Sequence, residues 1–333
     1  MEKKEVIQSI ENFNNLKALV IGDVMIDSYY WGKVKRISPE APVPIVDVTK
    51  KDNRLGGAAN VALNLMTLGA TPIICSVVGQ DDKGTLFEKL LSKRGFTKQG
   101  IVFSNKRQTT VKTRIISQGH HLLRVDEENK QPLSLELEDE FLLRINNVLD
   151  TNEIDVIIFE DYNKGVLTKR IIDTVIDLAK KKNIPTTVDP KKDNFFAYKN
   201  VTLFKPNLKE LTEGLKIDID KRNEQDIIDA VNQLSDKLNC KIAFVTLSEL
   251  GVIIKTTNST DIIPAFSRKI LDVSGAGDTV ISVASLALAS GMKAKSIALI
   301  SNLAGGWVCE KTGVTPINQQ DLISEINRLN LNF

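Results

Sequence analysis

Short apolar, β-branched runs alternate with stretches of helical period along most of the chain. The runs at 18–21, 73–78, 155–159, 186–188, 201–204, 243–247 and 252–255 are short, mainly apolar and β-branched, as expected of strands buried on both faces. Between them, 57–68, 84–93, 135–149, 169–181, 224–238 and 279–289 repeat their apolar positions with a helical period. This alternation predicts an α/β fold, a mostly parallel sheet with helices on both faces. Two stretches depart from it. Residues 28–50 contain Pro39, Pro42 and Pro44 and have no helical period; residues 109–126 alternate like paired strands with a turn near Gly119. Both lie between βα units and predict a small β-sheet outside the main layers, placed as a lid over a site at the strand ends. The expectation is one domain over 1–333 with a lid formed by 28–50 and 109–126.

Composition narrows the partners. With 44 Lys and Arg against 42 Asp and Glu, the net charge of +2 offers no electrostatic footprint for nucleic acid or an anionic membrane. No apolar run approaches the roughly 18 residues of a membrane span, and the first residues lack a signal-peptide core. A cytoplasmic location is expected. Cys75, Cys240 and Cys309 stand isolated in apolar surroundings, so buried reduced thiols are expected rather than disulfides or a zinc site. The two histidines, His120 and His121, are neighbours without a G-x-S-x-G elbow, which argues against a hydrolase triad.

Candidate chemistry begins at Leu271-Asp272-Val273-Ser274-Gly275-Ala276-Gly277-Asp278-Thr279-Val280. Two glycines and an alanine leave backbone N–H groups uncovered at a helix start, where the macrodipole favours a phosphate or oxyanion. Asp278 would repel a phosphate as its ligand but suits the base that deprotonates a hydroxyl attacking phosphorus. Taken alone, Asp278 could equally compensate the helix dipole and the glycines form a tight turn. Gly79 to Gly84 has the Walker A glycine spacing but no lysine follows, and Val280 stands where a dinucleotide fingerprint needs a small residue. Upstream, Gly56 and Gly57 bare backbone for close approach to a ligand, and Asn60 offers a donor and an acceptor to a hydroxyl. Asp23 and Asp27 follow the first strand, where carboxylates suit vicinal sugar hydroxyls. Together these groups point to phosphoryl transfer onto a sugar.

Gly56-Gly57-x-x-Asn60-x-Ala62 and Asp272-x-Ser274-Gly275-Ala276-Gly277-Asp278 resemble the two signatures of the ribokinase-like (PfkB) carbohydrate kinases, in the same order. The resemblance covers nearly the whole chain. It implies a three-layer α/β sandwich with a mostly parallel central sheet, a small β-lid over the sugar and Mg-ATP on the C-terminal side. It implies that Asp278 is the base and that Gly275, Ala276 and Gly277 supply anion-hole amides. Asn207 and Glu210 match an N-x-x-E element that places Mg²⁺ and phosphate through water. Thr246 to Gly251 resembles the loop that meets the nucleotide phosphates and ribose, and Asn302 falls where the adenine pocket is lined. Asp272 and Ser274 resemble a monovalent-cation element that would take K⁺, with Ser in place of the commoner Thr.

A narrower resemblance rests on residues 22–27, on Arg36-Ile37-Ser38-Pro39-Glu40-Ala41-Pro42-Val43-Pro44, on Asp161-Tyr162-Asn163-Lys164-Gly165 and on Asp189-Pro190-Lys191. These are similar to the bacterial D-glycero-β-D-manno-heptose-7-phosphate kinases of lipopolysaccharide precursor synthesis, which implies phosphorylation of the anomeric O1 to a 1,7-bisphosphate. A substrate that already carries phosphate calls for a second cationic patch. Arg36, Lys112, Arg114 and Arg124 on the lid segments are its candidates, against the alternative of solvated charges on a strand face. Lys164 and Lys191 fall in motifs near the phosphate path. No His-x-Gly-His motif follows His121, so the kinase step alone is expected, with a separate adenylyltransferase downstream and a homodimer formed through the lid. The alternatives are a ribokinase-like kinase for another sugar, sugar phosphate or nucleoside, a non-catalytic sugar-phosphate sensor and, more distantly, a nicotinamide dehydrogenase.

Overall fold

The computed structural model describes all residues except Thr312, Asn330 and Asn332. Its strands in chain order are β1 (Lys17–Gly22), β2 (Val24–Ile37), β3 (Pro44–Gly57), β4 (Thr71–Gly79), β5 (Ile101–Ser104), β6 (Val111–Ser117) and β7 (His120–Glu127). They continue with β8 (Val156–Glu160), β9 (Thr186–Asp189), β10 (Leu203–Phe204), β11 (Ile242–Thr246), β12 (Val252–Lys255) and β13 (Thr260–Ile263). The α-helices are α1 (Lys3–Glu11), α2 (Ala58–Thr67), α3 (Asp82–Lys93), α4 (Leu135–Thr151) and α5 (Lys169–Lys182). After them come α6 (Leu208–Leu215), α7 (Glu224–Leu238), α8 (Ala276–Ala289), α9 (Ala294–Cys309) and α10 (Gln319–Arg328).

Nine strands form the main sheet in the order β13-β12-β11-β10-β9-β8-β1-β4-β5, parallel from β11 to β5 with β12 and β13 added antiparallel. Successive side chains point to opposite faces. Ile158 and Phe244 thus enter a core shared with α2, α8 and α9, while Phe159 and Val245 enter a second core with α4, α5 and α7. The result is the expected three-layer sandwich. The 201–204 run pairs in register only at Leu203 and Phe204, and just before them Thr186 and Thr202 exchange side-chain-to-backbone hydrogen bonds. The three cysteines are buried and free, and burial pushes the Cys75 thiol up to about 12. Among the described residues no helix is long and apolar enough to cross a membrane.

The second sheet, β3-β2-β6-β7, grows out of the first: one residue, Asp23, separates β1 from β2, and β3 runs into α2 at Gly57. It is therefore longer than 28–50 and 109–126. The prolines do not break it because Pro39 and Pro42 lie in the connection at the hairpin tip and Pro44 is the first residue of β3. The glycine pair serves this crossing. A Cβ on Gly56 would lie 2.2 Å from Asp27 Oδ2, and one on Gly57, whose φ is +60°, would lie 2.3 Å from the Asp23 carbonyl oxygen. At Gly56 the space is taken by the chain's own carboxylate, which corrects the reading of that glycine as backbone bared for a ligand; Gly57 does line the cleft described below.

Strand order reverses between β8 and β1, the position where open α/β sheets bind ligands outside the strand carboxyl ends. There Glu160 pairs in register with Gly22 on one side and Asp189 on the other. Its side chain is inaccessible, and neither carboxyl oxygen has a hydrogen-bond partner. Burial, helped by the charges of Asp189 and Asp278 and opposed by Lys191 and Lys205, holds this carboxyl well above its ordinary 4.5. A carboxyl raised on folding contributes stability that is full below the unfolded value and is lost as pH rises toward the folded one. Thermal unfolding of the wild type should therefore move to lower temperature as pH is raised above 4.5, and Glu160→Gln should flatten that slope. Identical slopes for the two proteins in calorimetry would contradict the assignment.

Candidate active site

One face of the four-stranded sheet, Tyr162 just beyond β8, Asn60 on α2 and the loop leading into α8 line a cleft of about 460 Å³. Asp278, on the first turn of α8, is buried at its base. Asn60 donates its amide to Asp278 Oδ2 at 2.5 Å, and the Tyr162 hydroxyl donates to Oδ1 at 3.0 Å. The carboxylate is thus held in one plane with one donor on each oxygen. Burial dominates and raises its pKa; the Asn60 and Tyr162 hydrogen bonds pull the other way. The Tyr162 phenol stays protonated because burial, then the Asp278 charge, hold it well above 10.0.

Gly275, in the left-handed region at φ +80°, starts α8 without a side-chain cap. Ala276 N–H donates to the Val273 carbonyl at 3.2 Å. Among the described residues the N–H groups of Gly275, Gly277 and Asp278 have no acceptor, so the uncovered set is these three and not Gly275, Ala276 and Gly277. Asp272 shapes the loop by accepting from the N–H of Ser274 at 2.9 Å and of Gly313 at 3.0 Å. Burial opposes its ionisation, but these donors outweigh it and hold the carboxyl below its ordinary value. Asp272 and Ser274 both line the cleft.

The expected sugar ligands divide. Asp23 is 1% exposed, and its Oδ2 accepts from the N–H of Tyr162 at 2.9 Å and Lys164 at 3.1 Å while Oδ1 accepts from Val166 at 3.1 Å. It is a clamp on the 162–166 segment rather than a group facing sugar hydroxyls. Asn60 likewise gives its amide nitrogen to Asp278. Asp27 lines the cleft and is paired with Arg114 at 2.5 Å. The guanidiniums of Arg114 and Arg54 both lie against the Tyr29 ring, at 5.3 and 4.9 Å.

The expected phosphate-gripping cations divide too. Arg36 sits near the hairpin tip opposite Ile45, roughly 30 Å of strand beyond Asp27 and outside the cleft. Arg124 is exposed and paired with Asp126 at 2.9 Å. Lys112 does line the cleft, with its ammonium 5.9 Å from the centre of the Tyr162 ring. Lys164 is buried in an ion pair with Glu128 at 2.6 Å, which corrects its placement on the phosphate path.

Lys191 lies over the other participant, with its ammonium 5.4 Å from the Tyr162 ring centre, 2.7 Å from Glu210 Oε1 and 3.4 Å from Asp189 Oδ1. The N-x-x-E element folds as a capping box: Asn207 Oδ1 accepts from Glu210 N–H at 2.8 Å and Glu210 Oε2 from Asn207 N–H at 2.9 Å. Burial opposes ionisation of Asp189, but Lys191 and Lys205 outweigh it and keep it charged; the Lys205 ammonium is 2.8 Å away. Asp189 and Glu210 are hard oxygen donors of the kind a hydrated Mg²⁺ takes. Thr246, at the end of β11, bridges Asn207, and Gly251 closes the next turn at φ +96°. Asn302, on α9, donates its amide to the Pro264 carbonyl at 2.9 Å. Tyr162, Asp189, Lys205 and Arg54 are the site residues that sequence reading passed over. Tyr162 and Asp189 stand inside the motifs from which Lys164 and Lys191 were chosen.

The chain matches the family described as pfkB family carbohydrate kinase over residues 15–321. It is 37% identical over 327 residues to the bifunctional protein HldE of Geotalea uraniireducens, covering 98% of this chain and 66% of that protein. HldE of Syntrophotalea carbinolica is 38% identical over 97% of this chain and 65% of its own length. The chain thus spans about two thirds of these relatives. In fold it is similar to Escherichia coli phosphofructokinase-2 in complex with fructose-6-phosphate, with TM-score 0.77, 19% identity and coverage of 95% and 99% of the two chains. Arabidopsis thaliana ribokinase complexed with ribose and ATP gives 0.71 at 16% identity, covering 93% and 98%. With this fold and this match, the chain belongs to the pfkB family of carbohydrate kinases and is a phosphotransferase with an alcohol as acceptor.

Proposed function

We propose that the chain transfers the γ-phosphoryl group of ATP to O1 of D-glycero-β-D-manno-heptose 7-phosphate. The observation that carries the reading is the buried Asp278 carboxylate, oriented by Asn60 and Tyr162 beside three N–H groups without acceptors. The heptose acceptor is supported by similarity to the HldE proteins and by the 36–44 run. Asp278 takes the proton of the attacking hydroxyl, and the Gly275, Gly277 and Asp278 amides receive the charge on the transferring oxygens. Lys191 adds positive charge beside Tyr162. Asp189 and Glu210 would hold a hydrated Mg²⁺, which neutralises nucleotide phosphate charge when bound. Thr246, Gly251 and Asn302 would meet the nucleotide, and Asp272 with Ser274 would hold K⁺.

The four-stranded sheet acts as the lid that excludes water from the transfer. Ile37, Val48, Leu122, Leu123 and Val125 are large exposed apolar side chains on it, which supports pairing of two copies through their lids. The reading includes a cytoplasmic location and a separate adenylyltransferase further downstream in the pathway.

Asp278→Asn should lower kcat by about 10²–10⁴ while sugar and nucleotide affinity persist; turnover near the wild-type rate would refute the base. Tyr162→Phe keeps the ring and removes one donor, so kcat should fall roughly tenfold. Without that donor the Asp278 pKa rises, and the acid limb of kcat/KM should move to higher pH. A limb that stays in place would separate Tyr162 from the base. In a coupled ATP-consumption assay, heptose 7-phosphate should be turned over while ribose, fructose and adenosine are not. The reverse order would discard the heptose assignment.

A further inference from the structure

A second cavity, of about 370 Å³, lies behind Tyr29 and Arg54, between the hairpin root, α2 and the end of α3. Asp27, Tyr29, Arg54, Asn60 and Val314 line both this cavity and the cleft, so the two spaces meet at Asn60, the residue that holds Asp278. From Asn60 the wall follows Leu63, Met66 and Thr67 along one face of α2, about 10 Å of helix at 1.5 Å per residue. Lys93 and Arg94, at the end of α3, form part of its lining.

The charges in this space are unbalanced. Both acids that line it are already paired, Asp27 with Arg114 and Asp52 with Arg54. Lys93 and Arg94 are exposed at the rim of the cavity and have no acidic partner among the described residues. Cations at a helix end commonly serve only to offset the macrodipole. Here they also line a space that shares Asp27, Tyr29, Arg54, Asn60 and Val314 with the cleft of the reacting carboxylate. Of the lid cations, Arg36 and Arg124 are outside the cleft and Arg114 is paired with Asp27, which leaves Lys112 on the cleft side.

Resting on the reading that the acceptor is a sugar phosphate, we propose that this cavity receives the phosphate ester the acceptor already carries, with Lys93 and Arg94 as its cations. A sugar whose reacting hydroxyl faces Asp278 would run its carbon chain along α2 past Leu63 and Met66. Its phosphate would then reach the α3 end and gain charge-assisted hydrogen bonds there.

The test is the double variant Lys93→Ala/Arg94→Ala, beside Lys112→Met as the cleft-facing control. For heptose 7-phosphate the double variant should raise KM about tenfold or more, with kcat and the KM for ATP nearly unchanged. Lys112→Met should raise it less. Unphosphorylated heptose, assayed in parallel, should show no difference between double variant and wild type. An unchanged KM in the double variant, an equal rise for both acceptors, or a larger rise in Lys112→Met would overturn the assignment. Should the wild type fail to turn over heptose 7-phosphate, the substrate reading falls by itself. The cavity is then judged by calorimetric titration of inorganic phosphate, which should bind the wild type about tenfold more tightly than the double variant. Equal binding would overturn it.

Discussion

Five hydrogen bonds converge on Asp23, where the main sheet gives way to the hairpin. Its N–H donates to the Glu160 carbonyl, its own carbonyl accepts from Ala58 N–H at the start of α2, and its carboxylate accepts three N–H groups of the 162–166 segment. One inaccessible residue thereby ties the end of β8, the first turn of α2 and the Tyr162 segment to a common point. Asn60 comes from the second of these and Tyr162 from the third, so the two donors that orient Asp278 are both placed by it. Burial makes each bond matter more, because none can be exchanged for one to water.

The strand ends around this point carry acids in different states. Asp189 is held ionised by Lys191 and the buried Lys205, while Glu160, its neighbour in register, has no hydrogen-bond partner among the described residues and is held well above its ordinary value by burial. Asp278 lies between these cases, raised by burial and lowered by its two donors. Three carboxyl groups can share a small, poorly solvated volume because they do not all ionise in the same pH range.

Periodicity alone placed most strands and helices, since a sheet covered on both faces needs continuous apolar runs and amphipathic helices. The Gly275 to Asp278 loop was legible for a related reason: few residue types permit the backbone it needs. What could not be read was which acceptor each donor finds. Asp23, Ala276 and Lys164 have side chains or amides of the expected kind, yet each is engaged by a partner far away or within its own loop, Val166, Val273 and Glu128 respectively. Arg36 failed on distance instead, for nothing in its own stretch reveals that the strand continues so far past the site.

The junction at Gly57 has a mechanical meaning. β3 enters α2 with no loop between them, and the fourth residue of the junction, counting Gly57 itself, is Asn60. The hairpin is thus a lever arm whose fulcrum lies at the glycine pair and whose short end carries the amide that touches Asp278. Because no slack separates the two, a tilt of the long arm is transmitted to the base rather than absorbed on the way.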